Sequence, residues 1–107
     1  VSLTSNTHSI DLESSSSQSL YASDSASLSI TGNMTVELWF RLESQPATTM
    51  SLVSKTEGTG NQQSWNLYYD NSAGDKICID ISSDGSTKTT KTVNKTFSNG
   101  TWYHLAF

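Results

Sequence analysis

Between Met34 and Leu42 the chain alternates without a break: Met34, Val36, Leu38, Phe40 and Leu42 are apolar, and Thr35, Glu37, Trp39 and Arg41 stand between them. Side chains two apart along a strand share a face, whereas a helix needs spacings of three and four, so this pattern predicts a β-strand with one buried face. Similar runs recur at 50–55, 64–70, 76–82, 88–93 and 101–107, with weaker ones at 9–13 and 19–22. In the run 76–82, Ile77, Ile79 and Ile81 form one face, and Lys76, Cys78, Asp80 and Ser82 the other. The intervening segments carry turn-forming residues, as at Ser83, Asp84 and Gly85 or at Ser98, Asn99 and Gly100. No segment has the spacing of an amphipathic helix. Evenly spaced strands joined by hairpins predict an all-β fold, an antiparallel two-sheet β-sandwich of the jelly-roll kind.

Two segments modify that pattern. Residues 23–30 read as a single helical or 3₁₀ turn with Leu28 and Ile30 pointing inward. Residues 101–107 are apolar on both faces and predict a central strand covered on both sides, with His104 packed on the face it shares with Trp102 and Ala106. The chain stops inside that strand, so the sandwich is expected to lack its carboxy-terminal strands and to expose an edge with Trp102, Leu105 and Phe107.

Composition sharpens the class. Of 107 residues, 21 are Ser and 14 Thr, while Leu, Ile, Val and Phe together number 21, a content low enough to raise the question of disorder. The net charge of only -4 and the grouping of apolar residues into alternating runs favour a folded β domain with a hydroxyl-rich surface. The length suits one domain, 1–107. An acidic pI near 4.8, with five Lys and one Arg, lacks the basic footprint of a nucleic-acid binder. There is no apolar run long enough to span a membrane. Cys78 is the single cysteine, which excludes an internal disulfide and a multi-thiolate metal site.

Five blocks in order resemble a known family: Ile10 to Leu12, Asp24 to Gly32, Met34 to Leu42, Leu52 to Lys55, and Gly100 to Ala106. Together they are similar to laminin-G-like domains of the concanavalin A-like lectin/glucanase superfamily. The resemblance implies a two-sheet jelly roll, a module of a larger extracellular, cell-surface or virion-associated (phage-tail-like) protein, with flanking domains in the same chain. It implies carbohydrate, protein or Ca²⁺ as ligand. Members continue beyond the point where this sequence ends, with an Asp-bearing turn and further strands.

The chemistry-bearing residues favour binding over catalysis. Glycan-cleaving members of the superfamily carry Glu-x-Asp-x-x-Glu on one strand, and retaining hydrolysis needs two carboxyl groups about 5 Å apart. That motif is absent, and Asp11 with Glu13 is the only close same-face pair. No Ser or Cys stands in a nucleophile elbow. Trp39, Trp65, Trp102, Tyr68 and Tyr69 could stack on sugar rings, although a chain poor in aliphatics is expected to use most of them in its core. Tyr68 falls on the strand face opposite Trp65 and Tyr69, so one of these faces is expected to meet solvent. Gln63, Trp65 and Tyr68 are the candidate ligand-binding residues. Alternation of loops along an up-and-down sheet puts 57–61 and 83–86 at one end, making Glu57, Asn61 and Asp84 a candidate oxygen set for Ca²⁺. The expectation is a non-catalytic recognition or adhesion module for carbohydrate. The alternatives are a structural spacer without a small ligand, or an accessory part of a glycoside hydrolase.

Overall fold

The computed structural model describes residues 7–28, 30, 32–57 and 62–107, and the chain divides into two units, Val1–Asn33 and Met34–Phe107. The described part of the first unit holds two 3₁₀ turns, Ser14–Ser16 and Ala26–Leu28, and no strand. The strands expected at 9–13 and 19–22 are therefore not formed. Their apolar residues are too few to hold a ladder, and the serines between them turn the backbone locally: Ser17 adopts φ 51° and its N–H bonds the Ser14 carbonyl at 3.1 Å. The Glu13 N–H donates to Gln18 Oε1 at 2.9 Å and closes the same turn. The turn expected within 23–30 is present, but Leu28 and Ile30 are exposed and do not point inward.

Among the described residues the second unit contains six strands: β1 (Glu37–Arg41), β2 (Met50–Thr56), β3 (Gln63–Asp70), β4 (Lys76–Ile81), β5 (Thr89–Asn94) and β6 (Trp102–Ala106). They form two antiparallel sheets, β1-β6 and the meander β2-β3-β4-β5. The β1-β6 ladder runs on past its named ends, since Val36 and Phe107 exchange N–H to carbonyl bonds of 2.8 and 2.9 Å. Gly100 holds the turn into β6 at φ +73°, a value a side chain disfavours, and its N–H reaches the Leu42 carbonyl at 2.7 Å.

The sheets stack face to face through Phe40 and Leu42 on one side and Leu67, Tyr69, Ile77 and Ile79 on the other. Phe97, from the β5-β6 connection, stands between them. Its ring meets Phe40 at 5.3 Å, Tyr103 at 4.9 Å and Tyr69 at 6.0 Å between centroids, each edge to face. Aromatic pairs of this kind contribute about 0.5–1.5 kcal/mol beyond their area burial, which helps a core short of aliphatic residues. The inward alternation expected from Met34 to Leu42 is present, with Val36 and Leu38 packed against this cluster.

Two details depart from simple alternation. Between Ser51 and Val53 the β2-β3 register shifts, so Leu52 is an extra residue in β2 and the strand's inward parity passes from Met50 and Leu52 to Lys55, opposite Trp65. β6 has one hydrogen-bonded neighbour, β1, among the described residues, and only one of its faces is covered. The expected central strand is thus an edge strand. His104 is exposed where packing was expected, because the face it shares with Trp102 turns away from the core that holds Tyr103 and Leu105.

Candidate functional site

Side chains on the outward face of the four-stranded sheet follow from the same ladders. Asn66 pairs with Asp80 across β3-β4, Asp80 with Thr90 across β4-β5, and Tyr68 with Cys78. These positions alternate with Leu67, Tyr69, Ile77 and Ile79, so their side chains leave the core on the opposite side. Asp80 and Cys78 are nevertheless buried, because β4 has a strand on each flank and Tyr68 and Thr90 lie beside them.

Asp80 is only 5% exposed and accepts three hydrogen bonds: Thr90 Oγ1 at 2.6 Å and Tyr68 Oη at 3.3 Å to Oδ1, and Lys88 Nζ at 3.1 Å to Oδ2. Burial pushes its pKa up, but the Thr90 and Lys88 donors, with Tyr68, outweigh burial and hold the carboxyl below its ordinary range. The Tyr68 hydroxyl is pushed well above the usual phenol value, by burial first and by the neighbouring Asp80 next. Neighbouring Asn66 has a buried Oδ1 that finds no hydrogen-bond partner among the described residues.

Toward the end of the sheet where the β2-β3 and β4-β5 loops emerge, this face opens into a cavity of about 210 Å³. β3 contributes Gln63 to Asn66, and β4 contributes Asp80 with Ser82 just beyond it. Thr56 and Glu57 close it from the end of β2, and Lys88 from the start of β5. The lining offers hydroxyl, amide, ammonium and carboxylate groups, so it can both donate to and accept from a polar ligand. The volume lies below the roughly 300–1,000 Å³ common for drug-sized ligands, which suits one small polar unit.

Of the residues singled out from sequence, Gln63, Trp65 and Glu57 border this cavity. Trp65 does so from the strand position that shares parity with Leu67 and Tyr69, and is half-buried. Tyr68 lies on the cavity's face but acts on it through its bond to Asp80. The two loops do share one end: the Gln63 N–H donates to the Gly85 carbonyl at 3.1 Å. Asp84, however, spends Oδ1 on its own turn, accepting from Ser86 N–H at 2.8 Å, Thr87 N–H at 2.7 Å and Ser82 Oγ at 3.2 Å. The Thr87 and Ser86 N–H groups hold its carboxyl far below the ordinary range. Asn61 lies outside the described residues. Calcium takes six to eight oxygens, and Glu57 and Asp84 join no group of three acidic, His or Cys side chains among the described residues.

Sequence reasoning passed over Asn66, Asp80 and Lys88, and it expected most of the large aromatic residues in the core, while setting Trp39 on the strand face opposite Phe40 and Trp102 at an exposed edge. Both tryptophans are exposed, at 65% and 47%. They lie on the outer face of β1-β6, where Trp39 pairs with His104 and Arg41 with Trp102.

An antiparallel two-sheet sandwich with a polar cavity at its loop end and, among the described residues, no helix longer than a single turn defines a binding or structural module. The chain belongs to the concanavalin A-like lectin/glucanases superfamily, whose laminin-G-type family model matches residues 14–107. No characterised protein and no solved structure matches it. No helix of the described residues is long and apolar enough to cross a membrane.

Proposed function

We propose that this chain is a non-catalytic recognition module that binds a carbohydrate, with a single sugar unit seated in the cavity lined by Gln63, Ser64, Asn66, Asp80, Ser82 and Lys88. The observation that carries the reading is the lining itself: a dense set of donors and acceptors facing a space of about 210 Å³ suits a compact polyhydroxylated ligand better than an apolar one. Superfamily membership supports a binding or structural module, and domains of this type are often extracellular. Asp80 is held ionised by three donors, so it offers the cavity a hydrogen-bond acceptor and not a proton donor.

The test is glycan-array screening followed by calorimetry with soluble neutral oligosaccharides, each with calcium and with chelator. Asn66→Leu is the informative variant. Its Oδ1 has no partner among the described residues, so an apolar replacement of similar size is close to neutral for stability, while the cavity loses a hydrogen-bonding group. The expected result is a loss of affinity of about tenfold or more, on the order of 1.4 kcal/mol, with an unchanged melting temperature. A protein that binds no glycan in either condition, or whose binding ignores Asn66→Leu, would overturn the reading.

A further inference from the structure

The outer face of β1-β6 carries two tryptophans that the core does not use. Along β1 the outward residues are Glu37, Trp39 and Arg41, and along β6 they are Trp102, His104 and Ala106. Trp39 and Trp102 are diagonal neighbours across the ladder, a spacing of about 7–8 Å. One extended ligand can therefore touch both.

Polar side chains hold the rings in place. The Trp39 ring lies 5.0 Å from that of His104, tilted by 37°. His104 Nε2 is 3.6 Å from Glu37 Oε2. The Arg41 guanidinium sits over Trp102 at 5.7 Å and pairs with Glu43 at 3.8 Å. Each indole stays open to solvent despite these neighbours.

We propose that this face is a second binding surface, which takes the apolar faces of the sugar rings of a neutral polysaccharide chain. An indole offers a flat apolar plane, and sugar rings present flat C–H faces fringed by hydroxyl groups. Those hydroxyls can bond to Glu37, Arg41 and Glu43 without stripping them of polar partners. A purely apolar occupant, such as a lipid surface or the same face of a second copy, would strip these exposed polar pairs of water and offer no hydrogen bonds in return, which is costly. An acidic polymer is disfavoured as well, since two carboxylates face one guanidinium here and the whole chain carries -4.

The surface rests on the proposed carbohydrate role but is separate from the cavity, so the two can fail independently. The experiment is native affinity electrophoresis in gels containing hydroxyethylcellulose, laminarin, galactomannan or the anionic carboxymethylcellulose. The neutral polymers should retard the protein, and Trp39→Ala and Trp102→Ala should each weaken retardation about threefold to tenfold, the effect of one ring contact. Trp39→Phe should keep most of it. Asn66→Leu should leave polymer binding intact while it weakens oligosaccharide binding. Both alanine variants remove exposed rings, so their melting temperatures should match the parent's. Polymer retardation abolished by Asn66→Leu and untouched by Trp39→Ala and Trp102→Ala would overturn the second surface and leave the cavity reading standing. So would stronger retardation by carboxymethylcellulose, or a dimer in sedimentation that Trp39→Ala dissolves. Absence of retardation by every neutral polymer would overturn it too.

Discussion

Replacing Asp80 with Asn removes one negative charge from a buried position while keeping the shape of the side chain. Its Oδ1 can still accept from Thr90 and Tyr68, but those bonds change from charge-assisted to neutral, a loss of about 0.5–1 kcal/mol for the short Thr90 bond and less for the 3.3 Å Tyr68 bond. Oδ2 becomes an NH₂ group that faces the Lys88 ammonium. Lys88 is half exposed, so it swings into water, and the ion pair is worth only about 0.5–1 kcal/mol after solvent screening. Relief from burying a carboxylate offsets part of the total. Asp80→Asn is therefore expected to destabilise the fold by about 1–2 kcal/mol at pH 7.

The pH dependence makes the test sharper. The folded-state pKa of Asp80 lies below its unfolded value, so its stabilising contribution is fully present above about pH 4–5 and is lost as pH falls through the unfolded value near 3.9 toward the folded one. Urea unfolding followed by tryptophan fluorescence, run on both proteins from pH 7 to pH 3, isolates this group because the other carboxyls cancel in the difference. The two stabilities should converge as the pH drops. If the Asn variant is the more stable at pH 7, and the parent gains on it at acid pH, then burial outweighs the three donors and the argument for a permanently ionised Asp80 falls.

Two further outcomes follow from the core. Phe97→Ala removes a ring wedged among three aromatic neighbours and should cost about 3–5 kcal/mol in urea unfolding, a large share of the stability of a small domain; a loss below about 1 kcal/mol would mean that Phe97 does not join the sheets. Tyr69 is raised to about 12, by burial first and then by Asp75, which accepts from its hydroxyl at 2.7 Å, so its contribution is intact below the ordinary phenol value of about 10 and is lost as pH rises toward 12. Tyr69→Phe should flatten that alkaline decline in guanidinium unfolding between about pH 10 and 12, and an unchanged slope would refute the assignment.

The strands from Met34 onward were legible because two-residue alternation is imposed by the pleat itself. Leu52 shows where that rule stops: a bulge inserts one residue without any glycine or proline to announce it, and Lys55 then shares the parity of Trp65. At 9–13 and 19–22 the alternation was too short to recruit a partner strand, and the serines took the backbone into turns. Of the site, Glu57 and Gln63 were reachable through turn positions and loop parity. Asn66, Asp80 and Lys88 were not, since their meeting depends on the β3-β4-β5 register, which hairpin lengths alone leave open. A signal for the tryptophans existed. Trp39 alternates with Phe40 and so had to leave the core if Phe40 entered it, but the shortage of aliphatic residues suggested that most of the large rings would be needed inside.

That shortage is met by a different set of rings. Phe40, Tyr69, Phe97 and Tyr103 form a connected aromatic cluster between the sheets, and the tyrosines can serve there because each hydroxyl reaches a polar partner: Tyr69 meets Asp75 and Gln45, and Tyr103 accepts the Ser98 N–H at 2.9 Å. With the core filled by residues that carry their own polar exits, the tryptophans are released to the outer face of β1-β6. The same division places the Asp80 network on the outward face of the opposite sheet. The two candidate surfaces thus share no side chain and meet only through the core. Substitutions at one should act additively with substitutions at the other, because residues without common partners couple weakly. Strong coupling between Asn66 and Trp39 in binding would mean that a single ligand spans the sandwich or that the core has two packings, neither of which the ladders support.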